Sequence, residues 1–272
     1  MNHKRVVLIT GASSGMGKAT AELLLKEGYI VYGAARRVEN MKDLAEKGAK
    51  IMAMDVTKDQ SMVDGVESII KEQGRIDILF NNAGYGSYGA VEDVSIEEAR
   101  RQFEVNLFGL SRLTQLVLPH MRKQKYGKII NNSSMGGKIY TPMGAWYHAT
   151  KHALEGFSDC LRLEVAQFGI DVVIIEPGSI DSEWTGIMLN QLEQTSGHTA
   201  YAKITNSFIK MSKKMGGASS PNVIAQTVLK SIHSKKPKTR YAAGKYAKSY
   251  MFLRRILSDR MFDRVFHRML GI

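Results

Sequence analysis

Between Val6 and Ile175, short apolar runs alternate six times with stretches of helical period, and no other feature limits the fold as strongly. Val6-Val7-Leu8-Ile9 is apolar at every position rather than at every second one, which marks a strand buried on both faces. Strands of that kind, separated by helical crossovers, pair in parallel. The pattern predicts an α/β chain with a doubly wound parallel sheet whose ligands bind at the C-terminal ends of the strands. Strands are expected at Val6 to Thr10, Tyr29 to Ala35, Lys50 to Met54, Ile76 to Phe80, Gly127 to Asn132 and Asp171 to Ile175, with Thr239 to Ala242 as a last short one. No repeat, low-complexity tract or Pro/Gly/Ser-rich linker interrupts the 272 residues, so a single domain over residues 1 to 272 is expected.

The first strand runs into Gly11-Ala12-Ser13-Ser14-Gly15-Met16-Gly17, after which Ala19, Leu23 and Leu24 recur at helical spacing. A strand, a glycine-rich turn and a helix make a phosphate site. Small residues let the backbone approach, and the helix end offers free N–H groups and the positive end of its dipole. About 20 residues past the glycines, an NAD-selective dinucleotide fold would carry an acid for the ribose hydroxyls. This chain has Arg36 and Arg37 there. A guanidinium donates bidentately to a phosphate and keeps its charge, so NADP(H) is expected over NAD(H), with Ser13 and Ser14 as further donors to the 2′-phosphate. The plain alternative is two solvated surface arginines.

In Ala145-Trp146-Tyr147-His148-Ala149-Thr150-Lys151, a helix would place Tyr147 and Lys151 on one face, one turn apart. A free phenol titrates near 10, and a neighbouring positive charge favours the phenolate, so Tyr147 is expected to exchange protons with an alcohol or ketone oxygen near neutral pH. The spacing alone is weak: with 11 tyrosines and 23 lysines, about one such pair arises by chance, and Tyr241 and Lys245 form a second. Context separates the two pairs. Only Tyr147 follows an apolar strand, Ile129-Ile130-Asn131-Asn132, that delivers a serine, Ser134, thirteen residues before it.

Ser134, Tyr147 and Lys151 at these spacings resemble the active site of the short-chain dehydrogenase/reductase family. The Thr-Gly-x-x-x-Gly-x-Gly turn from Thr10 to Gly17 and the tetrapeptide Asn81-Asn82-Ala83-Gly84 are similar to that family's motifs. The turn Pro177-Gly178-Ser179-Ile180-Asp181-Ser182 resembles its Pro-Gly-x-Ile-x-Thr, with serine replacing threonine. The resemblance covers residues 5 to 182. It implies a seven-stranded Rossmann fold and reversible hydride transfer between NADP(H) and an alcohol or carbonyl carbon. It also implies catalytic roles for Asn106, Ser134, Tyr147 and Lys151, with Asn106 holding a water that connects Lys151 to solvent. Implied cofactor contacts are Gly11, Ser13, Ser14, Gly15, Met16 and Gly17 in the first turn, Arg36 and Arg37, Asp55 and Val56, and Asn82, Ala83 and Gly84. Tyr147, Lys151, Pro177, Gly178, Ile180 and Ser182 complete that set. Asp55 is read as the adenine contact, or else as a helix cap; Asn106 is catalytic, or else a satisfied core amide.

Residues 183 to 218, among them Trp184, Met188, Phe208, Ile209 and Met215, are read as a substrate lid suited to an apolar or bulky ligand, or simply as packing on the sheet. Cys160, the only cysteine, is expected buried and inert, and its solitude favours a reducing, cytoplasmic compartment. His148 and His152 share metal-ligand spacing but lack a third ligand; they are read as lying off the catalytic face, and no metal is expected. Val6 to Thr10 is too short for a secretory core. Of the net charge of +12, residues 230 to 272 carry +10. The basic amphipathic stretch from 245 to 272 is expected to pack on the pocket or on a second subunit, and less readily on an anionic membrane surface. Liposome binding unchanged by deleting residues 248 to 272 would exclude that last role. No nucleic-acid motif accompanies the charge. The expected function is carbonyl reduction or alcohol oxidation, with a membrane-surface lipid or steroid-type reductase and a catalytically idle NADPH sensor as alternatives.

Overall fold

The structure is a computed structural model that describes residues 4 to 214 and 216 to 271. Seven strands form one parallel sheet: β1 (Val6–Thr10), β2 (Ile30–Ala35), β3 (Lys50–Ala53), β4 (Ile78–Asn81), β5 (Gly127–Asn132), β6 (Ile170–Pro177) and β7 (Arg240–Ala243). Their spatial order is β3-β2-β1-β4-β5-β6-β7. The chain winds one way to β3, then returns to lay β4 on the free edge of β1, so the order reverses between β1 and β4. A crevice opens there at the strands' C-terminal ends.

Alternate residues of β1 feed the two sides of the sheet. Val7 and Ile9 pack with α1 (Gly15–Lys26), α2 (Lys42–Glu46) and, further along the chain, the helix Asn222–His233. Val6 and Leu8 pack with α3 (Asp59–Gln73) and with helices that follow β4 and β5. All four are at most 1% exposed, which explains why the strand reads as a continuous apolar run. Burying each contributes about 1.5–3 kcal/mol.

After β4 the helical stretch that follows changes its winding part-way. α4 (Ile96–Phe103) gives way to a wide π turn, Glu104–Gly109, before α5 (Leu110–Gln124). Asn106 lies in that turn. α6 (Ala145–Val165) covers the same face as α3 and α5. Next come α7 (Glu183–Ser196) and α8 (Ala202–Lys214), which make up the region expected as a lid, with Met215 outside the described residues. The helix Asn222–His233 is α9.

The basic C-terminal stretch forms α10 (Ala247–Ile256) and α11 (Asp259–Leu270). The apolar face of α11 turns inward: Phe262 and Phe266 are buried with Ile139, and Leu270 joins a cluster containing Tyr147, Tyr88 and Phe208. Tyr140 donates to Asp263 at 2.9 Å, and the Arg254 guanidinium stands over the Tyr140 ring at 5.2 Å. Packing on the chain's own body is therefore the arrangement found, with Arg260, Arg264 and Arg268 exposed on the outer face. No helix among the described residues is long and apolar enough to cross a membrane.

Candidate active site

At the end of β1 the chain turns through Gly11 (φ +66°) and Gly15 (φ +53°), left-handed conformations that favour glycine. Gly17 is required for space, since a Cβ there would collide with the Gly11 carbonyl and stand 2.5 Å from Asn82 Nδ2. α1 starts with Ser14 as its cap residue, yet no side chain caps the helix, so its first N–H groups remain available to an anion. Ser182 likewise begins α7 without a side-chain cap, and a Cβ on Gly15 would lie 3.5 Å from Ser182 Cβ. Two uncapped helix starts thus meet above the glycine turn.

The floor of this cradle is a ladder across three strands. Thr10 Oγ1 accepts from the N–H groups of Asn82 and Ala83, Asn82 Nδ2 donates to the carbonyls of Thr10 and Gly11, and Asn132 Nδ2 donates to Asn82 Oδ1. Asn81 instead bonds side chains, Thr114 and Asn131. Arg36 and Arg37 are exposed just past β2. Asp55 follows β3. Burial would raise its carboxyl, but the Thr57 N–H and hydroxyl, both on Oδ1, together with the Arg36 charge, hold it below the usual range. It is not the cap of α3, where Lys58 stands. Val56 is buried against Gly109 of the π turn.

After β6, the Gly178–Ser182 segment is fixed by its neighbours. Ser179 N–H donates to the Lys245 carbonyl, Asp181 N–H to that of Ser219, and Ser219 N–H to that of Ser179. In this parallel bridge the flanking groups are used, which turns Ile180's own N–H and C=O to the opposite edge.

Tyr147 and Lys151 project from one face of α6, with Lys151 Nζ 6.0 Å from the centre of the Tyr147 ring. Lys151 Nζ donates to the Asn132 carbonyl at 2.8 Å, at the end of β5. Ser134 Oγ accepts from Gly136 N–H at 3.0 Å, and its hydroxyl draws the Tyr147 phenol downward. Gly84 lies beside this group: a Cβ there would be 3.1 Å from Asn106 Oδ1 and 3.9 Å from Lys151 Nζ. Asn106, 1% exposed, accepts from Tyr85 N–H and donates to the Tyr85 carbonyl and Thr150 Oγ1, so its amide is fully engaged. The second spacing match has dissolved: Tyr241 lies in β7, its hydroxyl accepting from Lys238 N–H, while Lys245 Nζ donates to the Gly216 carbonyl.

Tyr147 is enclosed. Its ring centre is 5.4 Å from that of Trp184 and 5.6 Å from that of Tyr88, which in turn stands 6.0 Å from Phe208. Gly86 admits Trp184, since a Cβ there would strike the indole. Burial pushes the Tyr147 phenol up to about 12, with the Ser134 hydrogen bond pulling the other way. This reverses the expectation of a phenol tuned toward neutrality. Lys151 is itself desolvated, falling to about 8 against a partial offset from Glu155. Its charge lies near the ring but does not overcome the walls.

The family model for the short chain dehydrogenase matches residues 5 to 192. The chain belongs to the short-chain dehydrogenase family. This short-chain dehydrogenase is 39% identical over 245 residues to a 3-ketodihydrosphingosine reductase of Bacteroides thetaiotaomicron, covering 88% of each chain. It is 34% identical over 276 residues to an NADPH-dependent 3-dehydrocapnine reductase of Ornithobacterium rhinotracheale, covering 97% of this chain and 96% of that one. A crystal structure of a short-chain dehydrogenase from Streptomyces avermitilis superposes with a TM-score of 0.80 at 31% identity, over 100% of this chain and 96% of that one. The chain is accordingly an oxidoreductase of the family that joins a nicotinamide cofactor to alcohol and carbonyl chemistry.

Two further expectations for this dehydrogenase need correction. His148 does not lie off the catalytic face: it is 6% exposed, 5.8 Å ring to ring from Tyr147. Thr141 N–H can only donate, so His148 Nε2 accepts from it and Nδ1–H donates to the Gly136 carbonyl. Burial lowers this imidazole to about 4, so it is a neutral strut for the turn that carries Ser134. Its partner at i+4, His152, bonds the His148 carbonyl. Cys160 is exposed rather than buried. The inward stripe of α6 runs through Tyr147, Lys151, Leu154, Ser158, Leu161 and Val165, and position 160 falls opposite. Tyr88 went unnoticed in the sequence, where only the glycines at 86 and 89 hinted at close packing around it.

Proposed function

We propose that this dehydrogenase is an NADP(H)-dependent ketone reductase acting on a lipid-like substrate with a bulky apolar group. The observation carrying this reading is Tyr147 itself, 8% exposed and walled by Tyr88, Trp184 and, in the same cluster, Met188, Phe208 and Ile209. Such a wall favours apolar substrate surface. Both curated relatives described above bear names of reductases, one for a 3-keto compound, and one name specifies NADPH.

The residues present fit a dinucleotide. The glycine turn and the uncapped starts of α1 and α7 suit the diphosphate, to which Ser182 at the head of α7 would donate. Arg36 and Arg37, with Ser13 and Ser14, would hold the 2′-phosphate; Asp55, ionised and with Oδ2 open, would accept from adenine. Met16, Gly17, Val56, Asn82, Ala83 and Gly84 would line the ribose and diphosphate path, and Pro177, Gly178 and Ile180 the nicotinamide carboxamide. When bound, the reduced nicotinamide supplies a hydride to the carbonyl carbon.

The chain's own residues manage the charge and the proton. Ser134 Oγ accepts from Gly136, and its O–H would turn from the Tyr147 side to donate to a carbonyl oxygen gaining negative charge. Tyr147, high in pKa and hence protonated at neutral pH, passes its phenolic proton to that oxygen, which suits the reductive direction. The phenolate left behind is balanced by the Lys151 ammonium, which would also hold the ribose hydroxyls. With its side chain spent on Tyr85 and Thr150, Asn106 would support proton return through its main chain in the π turn.

A panel of long-chain ketones, small ketones and sugars, followed by NADPH absorbance, tests the substrate class; turnover confined to small polar carbonyls overturns it. Tyr147→Phe should abolish turnover while leaving NADPH affinity within about twofold, and substantial remaining activity would remove the phenol from its role.

A further inference from the structure

One buried charge in α6 has no part in the chemistry above. Glu155 is one turn beyond Lys151 and 3% exposed. Its Oε2 is held by Lys138 Nζ and Arg240 Nε, each at 2.9 Å, while Oε1 is buried with no partner among the described residues. Leaving half of a buried carboxylate unsatisfied is costly, and such an atom marks either a buried water or an electrostatic duty. A second buried orphan lies nearby. A Cβ on Gly137 would stand 2.9 Å from both Ser133 Oγ, also unpartnered, and Glu155 Cγ, and 3.0 Å from the Lys151 carbonyl. The turn bearing Ser134 and the segment from Lys151 to Glu155 are therefore in direct contact.

Lys151 needs a counter-charge. It is 7% exposed, forms no salt bridge among the described residues, and has a single protein acceptor, the Asn132 carbonyl. We propose that Glu155 is a positioning residue for catalysis: clamped by Lys138 and Arg240, it keeps the Lys151 ammonium charged and seats α6 against the Ser134 turn. This rests on the assignment of Tyr147 and Lys151 made above. The groups facing Glu155 are Lys151 and Asp159 on α6, Lys138 after the Ser134 turn, Glu176 on β6 and Arg240 on β7; Arg240 also donates to Asp159 at 2.6 Å and lies 3.6 Å from Glu176 Oε1. Burial, then the Glu155 charge, raise the Glu176 carboxyl to about 7, so Glu176 is half-ionised near neutrality and is no substitute for Glu155. The field of Glu155 opposes the desolvation of Lys151.

The test compares Glu155→Gln, which keeps shape and removes charge, with Glu155→Asp, which keeps charge. The readout is the pH dependence of kcat/KM for ketone reduction by the whole chain with NADPH. Without the carboxylate the ammonium loses its proton at lower pH, so the alkaline limb should move down by about one pH unit in the Gln variant. The Asp variant should recover most of that movement. An unmoved limb in the Gln variant, whether activity is retained or uniformly reduced, overturns the proposal, because loss of packing alone lowers the profile without displacing it. Should Tyr147→Phe retain turnover, the catalytic reading itself has failed; a dead Tyr147→Phe beside an unmoved Glu155→Gln limb defeats only the role of Glu155.

Discussion

Replacing Lys151 with methionine should exchange activity for stability in a pH-dependent way. The ordinary lysine value of 10.5 falls to about 8 in the fold because burial disfavours the ammonium. Below pH 8 both folded and unfolded chains carry the charge, and the folded chain bears its desolvation. Between 8 and 10.5 the folded chain has released the proton while the unfolded chain keeps it. The unfolded state then binds more protons, so stability rises with pH across that window. At about 1.4 kcal/mol per pH unit, the burden at neutral pH is about 3 kcal/mol. Lys151→Met removes the burden but strands the Asn132 carbonyl, at a cost of about 1–3 kcal/mol. At pH 7 the variant should therefore be as stable as the parent or more so, although inactive. Urea unfolding of both proteins at pH 7 and near pH 10 measures the difference, which should swing toward the parent by about 2–3 kcal/mol. A difference constant with pH within about 0.5 kcal/mol would refute the reasoning, since it would mean that Lys151 titrates alike in both states.

Ala at both Arg36 and Arg37 should weaken NADPH about 10- to 100-fold in Kd while barely affecting NADH, as read by nucleotide fluorescence titration; equal losses remove the 2′-phosphate contact. Gly17→Ala has no room for its methyl against the Gly11 carbonyl and Asn82 and should abolish nucleotide binding, while distant Gly156→Ala, with open space around it, should not. His148 is neutral in the fold at about 4 against an ordinary 6.5. Its contribution is present above pH 6.5 and is lost as pH falls toward 4, about 3 kcal/mol in all. His148→Gln should flatten that acid slope in denaturation curves; an unchanged slope places the acid sensitivity elsewhere.

Much of this molecule is readable from local pattern. β1 follows its apolar run from Val6 through Ile9 and closes one residue later at Thr10, because it is buried on each face and no solvent-facing alternation blurs its limits. Tyr147 and Lys151 converge because an i, i+4 spacing on a helix dictates it. What escaped depends on contacts distant in the chain. The π turn at Asn106 answers to Tyr85 and Thr150, which no helical pattern announces. The burial of His148 follows from a turn folding back over α6, and the partners of Glu155 include Arg240, 85 residues away. Cys160 was misplaced because α6 carries apolar side chains on its outer face too, Leu163 being 75% exposed, so periodicity did not distinguish inside from outside. The elevated Tyr147 phenol reflects Tyr88 and Trp184, which approach it from other segments of the chain.

The outward placement of Cys160 makes the protein a ready host for a spectroscopic reporter. It is the only thiol in the sequence, so a maleimide dye would attach at one position without prior mutagenesis. It lies nine positions beyond Lys151 in the helix, about 13 Å along the axis of α6. That is close enough for energy transfer from a fluorescent reduced nucleotide and far enough to leave the reacting groups alone, so cofactor arrival and departure could be timed in the unmodified catalytic background.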